Sequence, residues 1–282
     1  MANTINKAQK YVPYLDEAYA VATKTSILDT VREIEFIDKA GTFLVPDMTV
    51  SKLGNYDRKT GYSKGTVSNN YTPYECDYER GKMLGVDVMD DEEAQGLLFA
   101  NVAGKFIKDS VGPEVDAYRF ARYTELANKV VEEDIAAGQE IAALRAATTY
   151  LNEKKVKAAD RVLFITSELK GAIDDLDTTK SKAVLNKFSA IVEIENVSEF
   201  MSAITLDADE GYDFPETARP INFMIVQKDA VMQIVKHAVP KIIPSAMNQT
   251  SDEDLYAYRI VALNNLYKNK KDGVYVSVAA TV

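Results

Sequence analysis

Tryptophan is absent from this chain of 282 residues, and cysteine and histidine occur once each, at Cys76 and His237. A single cysteine rules out an internal disulfide and fits a reducing compartment. One histidine and one cysteine cannot supply the three or four ligands of an ordinary zinc site. His237 stands among apolar residues in VMQIVKHAVPKII with no partner nearby in sequence, so it reads as a packed or surface residue rather than a general base. The Gly-x-Ser-x-Gly, Walker and Gly-x-Gly-x-x-Gly patterns are missing as well. No run approaches the roughly 18 apolar residues of a membrane span, and the first residues lack a basic region followed by an apolar block. Lys and Arg number 33 against 43 Asp and Glu, a net charge of −10. With no basic stripe to displace counterions from phosphates, tight nucleic-acid binding is excluded as the main role.

What is present is material for a core, since 46% of the residues are hydrophobic. No Pro/Ser linker divides the chain, which implies intertwined domains. The acidic stretch from Asp207 to Asp213 imitates a calcium loop. Its glycine, Gly211, falls one place early, and Ala218 stands where a bidentate Glu is required, so it reads as a solvated loop. Asp90-Asp91-Glu92-Glu93 reads as a helix start, with Asp90 as N-cap and Glu93 closing a capping box. Ala94, Leu97, Leu98, Val102, Ala103, Phe106 and Ile107 then recur on one face as far as Ser110. Gly112-Pro113 breaks that ladder and opens a second helix over PEVDAYRFARYTELANKVV.

Residues 54–71, GNYDRKTGYSKGTVSNNY, hold one aliphatic side chain, Val67. They lie between FLVPDMTV and YTPYECDYERGKMLGVDVM, which read as extended strands, so the Gly-rich piece becomes the tip of a long hairpin. A two-stranded ribbon is marginally stable unless it packs on something, and nothing in the chain offers an obvious partner surface. The C-terminal half alternates helices and strands. GQEIAALRAATTYLNEKK and SELKGAIDDL read as helices, and RVLFIT, SAIVEIE and INFMIV as strands. QKDAVMQIV reads as one or two helical turns, HAVPKII as extended, and AYRIVALNNLYKNKKDGVYVSV as two strands turning at Lys271-Asp272-Gly273. The class is α+β.

Four segments carry a family resemblance: KYVPYLDEAYAVATKTSIL, VGPEVDAYRFARYTELA, RVLFITSELKGAIDDL and RPINFMIVQKDAVMQIVKHAVPKIIPSAMNQTSDEDLYAYRIVALNNLYKNKKDGVYVS. They resemble the major capsid proteins of tailed bacteriophages with the Hong Kong 97 fold, those of phages of Gram-positive bacteria in particular, and the element order matches over nearly the whole chain. The resemblance implies an N-terminal arm (1–42), an extended-loop hairpin (43–85), a spine helix with the first part of a peripheral domain (86–131), an axial domain (132–225) and returning peripheral strands (226–282). It implies a structural protein, not an enzyme, without cofactor or metal, that assembles into hexamers and pentamers of an icosahedral shell around packaged DNA. The expected location is the virion capsid, assembled in the host bacterial cytoplasm. The chain begins almost at the arm, which implies a separate scaffolding protein; a portal protein, a maturation protease and a decoration protein are further candidate partners.

Under this resemblance Tyr56, Arg58, Lys59, Tyr62, Lys64, Tyr71, Tyr74, Tyr78 and Arg80 are the expected inter-subunit contacts. A tyrosine buries a large ring while keeping a polar tip, and the cations, with Lys52, would face a neighbour's acids near Asp87 to Glu93. Some members crosslink a loop lysine to a neighbour's asparagine, and Lys59 or Lys64 would be the candidates. Nothing identifies the asparagine or an activating glutamate, so the expectation is non-covalent assembly. Two alternatives stay open: an encapsulin, the cellular compartment with the same fold, and a cytoplasmic α/β enzyme using carboxylates or a metal through Asp207, Asp209 and Asp213.

Overall fold

The computed structural model describes residues 23–29, 42–93, 104–176, 179–208 and 211–280. In chain order its elements are β1 (Phe43–Val50), β2 (Val67–Tyr74), β3 (Tyr78–Asp87), α1 (Val88–Glu93), α2 (Gly112–Leu126), β4 (Lys129–Glu132), α3 (Glu140–Glu153) and β5 (Arg161–Thr166). There follow α4 (Ser167–Asp175), α5 (Thr179–Leu185), β6 (Ala190–Ile194), β7 (Thr205–Leu206), β8 (Tyr212–Asp213), β9 (Ile221–Gln227), β10 (Val231–Ile243), β11 (Glu253–Leu266) and β12 (Val274–Val278).

The largest sheet has five strands in the order β4-β12-β9-β5-β6, with β5 parallel to β6 and antiparallel to β9. Both of its faces are covered, so its strands read as near-continuous apolar runs rather than alternating ones. Val162, Phe164, Met224, Val226, Val274 and Val276 point to one side, where they pack with Phe120 and Tyr123 of α2. Leu163, Ile165, Phe223, Ile225 and Tyr275 point to the other, against Leu144, Ala147 and Leu151 of α3, Ile173 of α4 and Val184 of α5. A second sheet, β10-β11-β3, lays Tyr256, Tyr258 and Ile260 on Ile107, Val111 and Val115 of the long helix.

That helix differs from expectation at three places. It does not break at Gly112-Pro113. A π-helical turn, Ile107–Val111, leads directly into α2, and Phe106 and Gly112 on either side keep right-handed helical dihedrals. The widened turn accommodates the ring and missing N–H of Pro113, a common use of such a bulge. The upstream segment α1 starts at Val88 rather than beyond Asp90, and it is the Asp87 carboxylate that accepts from the Met89 amide at 2.9 Å. Ala94, Leu97, Leu98, Val102, Ala103 and the side chain of Glu93 lie outside the described residues. Downstream the helix stops at Leu126. The β-branched pair Val130-Val131 belongs to β4, which runs parallel to β12.

Two C-terminal readings are also corrected. VMQIV is not helical; it forms the start of β10, because a short apolar run does not declare its period and here pairing with β11 decides. Asp272-Gly273 is not a hairpin turn. β11 and β12 lie in different sheets, and Gly273 is required because a Cβ there would stand 2.6 Å from the Cβ of Ala230.

A buried polar network ties the short segment Lys24–Leu28 to α2 and the second sheet. Asp116 accepts from the amides of Lys24 (2.6 Å) and Thr25 (3.1 Å) and from the Thr25 hydroxyl (2.5 Å). Arg119, almost wholly buried, donates to Thr25 Oγ1 (2.8 Å) and Asn264 Oδ1 (3.0 Å). Gln233 donates to the Thr25 carbonyl at 2.9 Å and accepts from Tyr123 Oη at 2.7 Å. Arg119 Nη2 alone in this cluster lacks a hydrogen-bond partner, and it faces the Asp29 carboxylate at 3.8 Å, whereas buried polar groups are otherwise paired. Burial pushes the Asp116 carboxyl above its ordinary range, while these hydrogen bonds and Arg119 oppose that rise.

Candidate assembly interface

The hairpin anticipated from the Gly-rich stretch is present, but its second strand is Val67–Tyr74; most of YTPYECDYERGKMLGVDVM belongs instead to β3, which pairs with β11 in the second sheet. β1 and β2 pair antiparallel from Phe43↔Tyr74 at the base to Val50↔Val67. The base is anchored in its own subunit, where Phe43 and Tyr74 pack with Met232 and Leu263, and Tyr74 Oη accepts from the Lys268 amide at 3.1 Å. Beyond the base the ribbon touches nothing that covers it, for no residue between 51 and 70 is buried.

The register divides the ribbon into two unlike faces, since directly opposed residues share a face and alternate along each strand. Leu44, Pro46, Met48 and Val50 lie on one face with Val67, Tyr71, Pro73 and the single polar residue Asn69, and of these Met48, Val50, Val67 and Tyr71 are 59–66% exposed. Thr49 and Ser68 lie on the other, their hydroxyls 2.5 Å apart. The amide of Ser51 donates to Thr66 at 3.0 Å, which makes the odd positions of β1 the hydrogen-bonded ones. Pro46 and Pro73 therefore both fall at non-bonded pairs, where their missing N–H groups face outward. The two edges of the ribbon are thus blunted against lateral strand addition, and its apolar face is what remains for a partner.

The tip is ordered by local bonds. Asp57 Oδ1 accepts from the amides of Lys59 (2.6 Å) and Thr60 (3.3 Å), and Asp57 and Gly61 exchange backbone bonds of 3.2 and 2.8 Å. Gly61 sits at φ +82°, a conformation that favours glycine. Tyr56 and Tyr62 flank this turn with ring centroids 5.0 Å apart, and both are exposed. Arg58, Lys59 and Lys64 are exposed around them.

Of the nine residues expected at inter-subunit contacts, six therefore lie together on the exposed ribbon: Tyr56, Arg58, Lys59, Tyr62, Lys64 and Tyr71. The other three make their contacts within the chain. Tyr74 is buried at the ribbon's base, and Tyr78 Oη donates to Glu114 at 2.9 Å. Arg80 is a clamp: Nε bonds Glu114 (2.8 Å), and Nη1 and Nη2 donate to the carbonyls of Asp207 (2.5 Å) and Gly211 (2.7 Å). A tertiary partner drew these three inward, and no local pattern announces such a partner. Sequence reasoning passed over the apolar residues Met48 and Val50, although period-two alternation in FLVPDMTV carries that signal.

The acids considered for catalysis do not form a site among the described residues. Asp207 follows β7 and Asp213 belongs to β8 of a two-stranded ribbon, and Asp209 lies outside the described residues. No group of three or more His, Cys, Asp or Glu is placed to hold a metal among the described residues. A cleft of about 480 Å³ opens between β3, the long helix and β7–β8; of its charged lining residues Arg80, Lys82 and Glu114, Arg80 and Glu114 pair with each other.

No family profile matches the sequence, and no curated protein matches it. Solved structures do. A chain of the mature capsid of bacteriophage PhiM1 aligns over 87% of this chain and 84% of its own, with TM-score 0.63 and 11% identity. A virus-like particle from Pyrococcus furiosus aligns over 97% of this chain and 100% of its own, with TM-score 0.59 and 11% identity. A chain from Mycobacterium phage Che8, 17% identical, aligns over 83% and 84% with TM-score 0.57. At these identities the likeness defines the fold: the chain has the mixed α/β architecture of chains that form phage capsids and a virus-like particle.

Proposed function

We propose that this chain is the major capsid protein of a tailed bacteriophage, assembling into hexamers and pentamers of an icosahedral shell around packaged DNA. One observation carries the proposal. On a fold shared with shell-forming chains, a ribbon anchored at its base extends an apolar face entirely into solvent. Exposed apolar surface of this kind marks an interaction site, and a bare ribbon is marginally stable, so a second copy supplies the missing cover.

In this reading residues 1–42 are the arm, 43–85 the extended loop, 86–131 the spine helix with the start of the peripheral domain, and 132–225 the axial domain. The returning segment 226–282 contributes β10 and β11 to the peripheral sheet and β12 to the five-stranded one. The net charge of −10 suits a container whose wall must release DNA rather than grip it. A scaffolding protein, a portal, a maturation protease and a decoration protein are its proposed partners, and assembly in the host cytoplasm precedes residence in the virion. An encapsulin-like compartment with the same fold is the second reading, less supported than the first; the alignment over the whole of a virus-like particle chain fits either container.

The test is to express residues 1–282, measure mass by multi-angle light scattering, and image the same sample by negative stain. Shells, tubes or sheets are expected. Only 31.2 kDa monomers, with or without co-expressed phage scaffold, would overturn the proposal. Nucleic acid inside particles recovered from infected cells favours the phage reading, and enzyme cargo the compartment.

A further inference from the structure

Three connections meet at one end of the five-stranded sheet: residues 154–160 between α3 and β5, 228–230 between β9 and β10, and 268–273 between β11 and β12. The Lys228 amide bonds the Asp160 carbonyl and the Tyr267 amide the Ala230 carbonyl, each at 3.0 Å. Between them lies a pocket of about 260 Å³ whose charged lining is four lysines, Lys154, Lys155, Lys157 and Lys270, against two acids, Asp229 and Asp272. On a chain of net charge −10 this is a local surplus of positive charge. The ion pairs across it are long and exposed, Lys157–Asp229 at 3.6 Å and Lys154–Asp272 at 4.0 Å, so they hold the ammonium groups loosely. Lys155 has no ion pair or side-chain hydrogen bond among the described residues.

The pocket is built, not a chance meeting of surface lysines. Its wall includes Gln227, the last residue of β9, which is only 4% exposed and whose side-chain amide has no hydrogen bond among the described residues. A buried amide left without a partner is costly, so its place in the wall of a pocket points to a ligand that completes it. The lysine loop is also fixed. Arg161, almost wholly buried, donates from Nε to the Lys157 carbonyl at 2.9 Å, and from Nη2 to the Val156 carbonyl at 2.8 Å and to Asn152 Oδ1 at 2.9 Å. Lys155 follows α3 in the left-handed conformation, φ +58°, a place glycine usually fills, so a lysine is kept there against a conformational preference. On the 268–273 connection Lys270 Nζ donates to the Asp229 carbonyl at 2.9 Å. Water alone would pair the amide and leave the surplus charge unanswered.

We propose that this pocket is a phosphate-binding site. A phosphate group brings up to about two negative charges, which match the surplus, and acceptor oxygens for the Gln227 N–H and the ammonium groups. Lysines without an arginine in the lining act as point charges and impose no fixed fork, which suits the phosphate of a free phosphate compound and that of a nucleic-acid backbone alike. One chain supplies every group, so the site does not depend on the shell reading. Within a shell it would hold nucleic acid weakly at defined points of a wall whose net charge otherwise repels it.

The test titrates unassembled subunits of residues 1–282 with inorganic phosphate, against sodium chloride of equal ionic strength, and reads calorimetry and melting temperature. Phosphate at about 10 mM is expected to raise the melting temperature by about 2 °C or more over chloride, the size a millimolar dissociation constant gives. K155Q/K157Q, on exposed side chains, is expected to weaken phosphate binding about fivefold or more with unchanged circular dichroism. Gln227→Leu replaces the unpaired amide with an apolar side chain of similar volume; it is expected to keep or raise the melting temperature without phosphate and to lose most of the phosphate-dependent rise. Equal responses to phosphate and chloride, or a K155Q/K157Q variant that binds phosphate as tightly as the wild type, would overturn the site, and the lysine variant decides even where the Gln227 variant fails to fold. A short oligonucleotide that binds about tenfold tighter than inorganic phosphate, and loses that advantage in K155Q/K157Q, assigns the site to a nucleic-acid backbone. Pyrophosphate binding tighter than the oligonucleotide assigns it to a free phosphate compound. None of these outcomes depends on particle formation, so the shell reading stands or falls separately.

Discussion

Replacing Thr25 with Val tests whether the polar network truly holds the segment Lys24–Leu28 in place. The substitution keeps the shape of a side chain that is fully buried and removes only a hydroxyl. That hydroxyl donates to Asp116 Oδ1 at 2.5 Å and accepts from Arg119 Nη1 at 2.8 Å. Asp116 keeps the two amide donors, but one buried guanidinium N–H loses its acceptor, and a buried group left unsatisfied costs about 1–3 kcal/mol, more when charged. Adding the lost carboxylate bond, the expected destabilisation is about 2–4 kcal/mol, a fall in melting temperature of roughly 5–10 °C for a chain of this size. The assay is thermal and urea unfolding of dilute, unassembled subunits, with hydrogen exchange over residues 23–29. A loss below about 0.5 kcal/mol with unchanged exchange at the Thr25 amide would refute the reasoning, since surface-like behaviour has that size.

Three further outcomes are expected. Changing Met48 and Val67 together to Ser should leave subunit folding intact, because both are exposed, yet weaken assembly by roughly 2 kcal/mol or more per contact, read as a higher threshold concentration for particles. Arg80→Gln should speed exchange in residues 205–213, whose carbonyls it clamps, while β3 and β11 stay protected; equal protection with and without the guanidinium would contradict the clamp. Asp272 accepts from Asn128 (3.0 Å) and Tyr150 (3.1 Å), and these bonds hold its carboxyl below the ordinary range. A depressed pKa contributes stability that is present above the unfolded value near 3.9 and lost as pH falls through the folded one. Asp272→Asn should therefore flatten the acid limb of the stability curve below about pH 4, by less than about 1 kcal/mol because the group is partly exposed.

The elements that sequence alone made legible are those whose pattern is local. RVLFIT reads as a buried strand because both sheet faces are covered, and GQEIAALRAATTYLNEKK as a helix because Leu144, Ala147 and Leu151 repeat on one side. The long hairpin was legible through what its tip lacks. Elsewhere a residue's usual meaning yielded to its neighbours. Gly273 looks like a turn glycine but is small because Ala230 leaves no room for a Cβ, and Pro113 looks like a helix stop but sits in a helix that had already widened. Tyr74, Tyr78 and Arg80 share the composition of the exposed ribbon, and only the partners Met232, Glu114 and the Asp207 carbonyl, far away in sequence, separate them from it.

The central claim is that the ribbon of one copy finishes its folding on another, and a cryo-electron microscopy map of assembled particles tests it most directly. The account predicts density for residues 43–74 leaving its own subunit and lying with Met48, Val50, Val67 and Tyr71 covered by a neighbour. Particles in which that ribbon folds back on its own chain, or stays solvated while other surfaces make the shell, would contradict it.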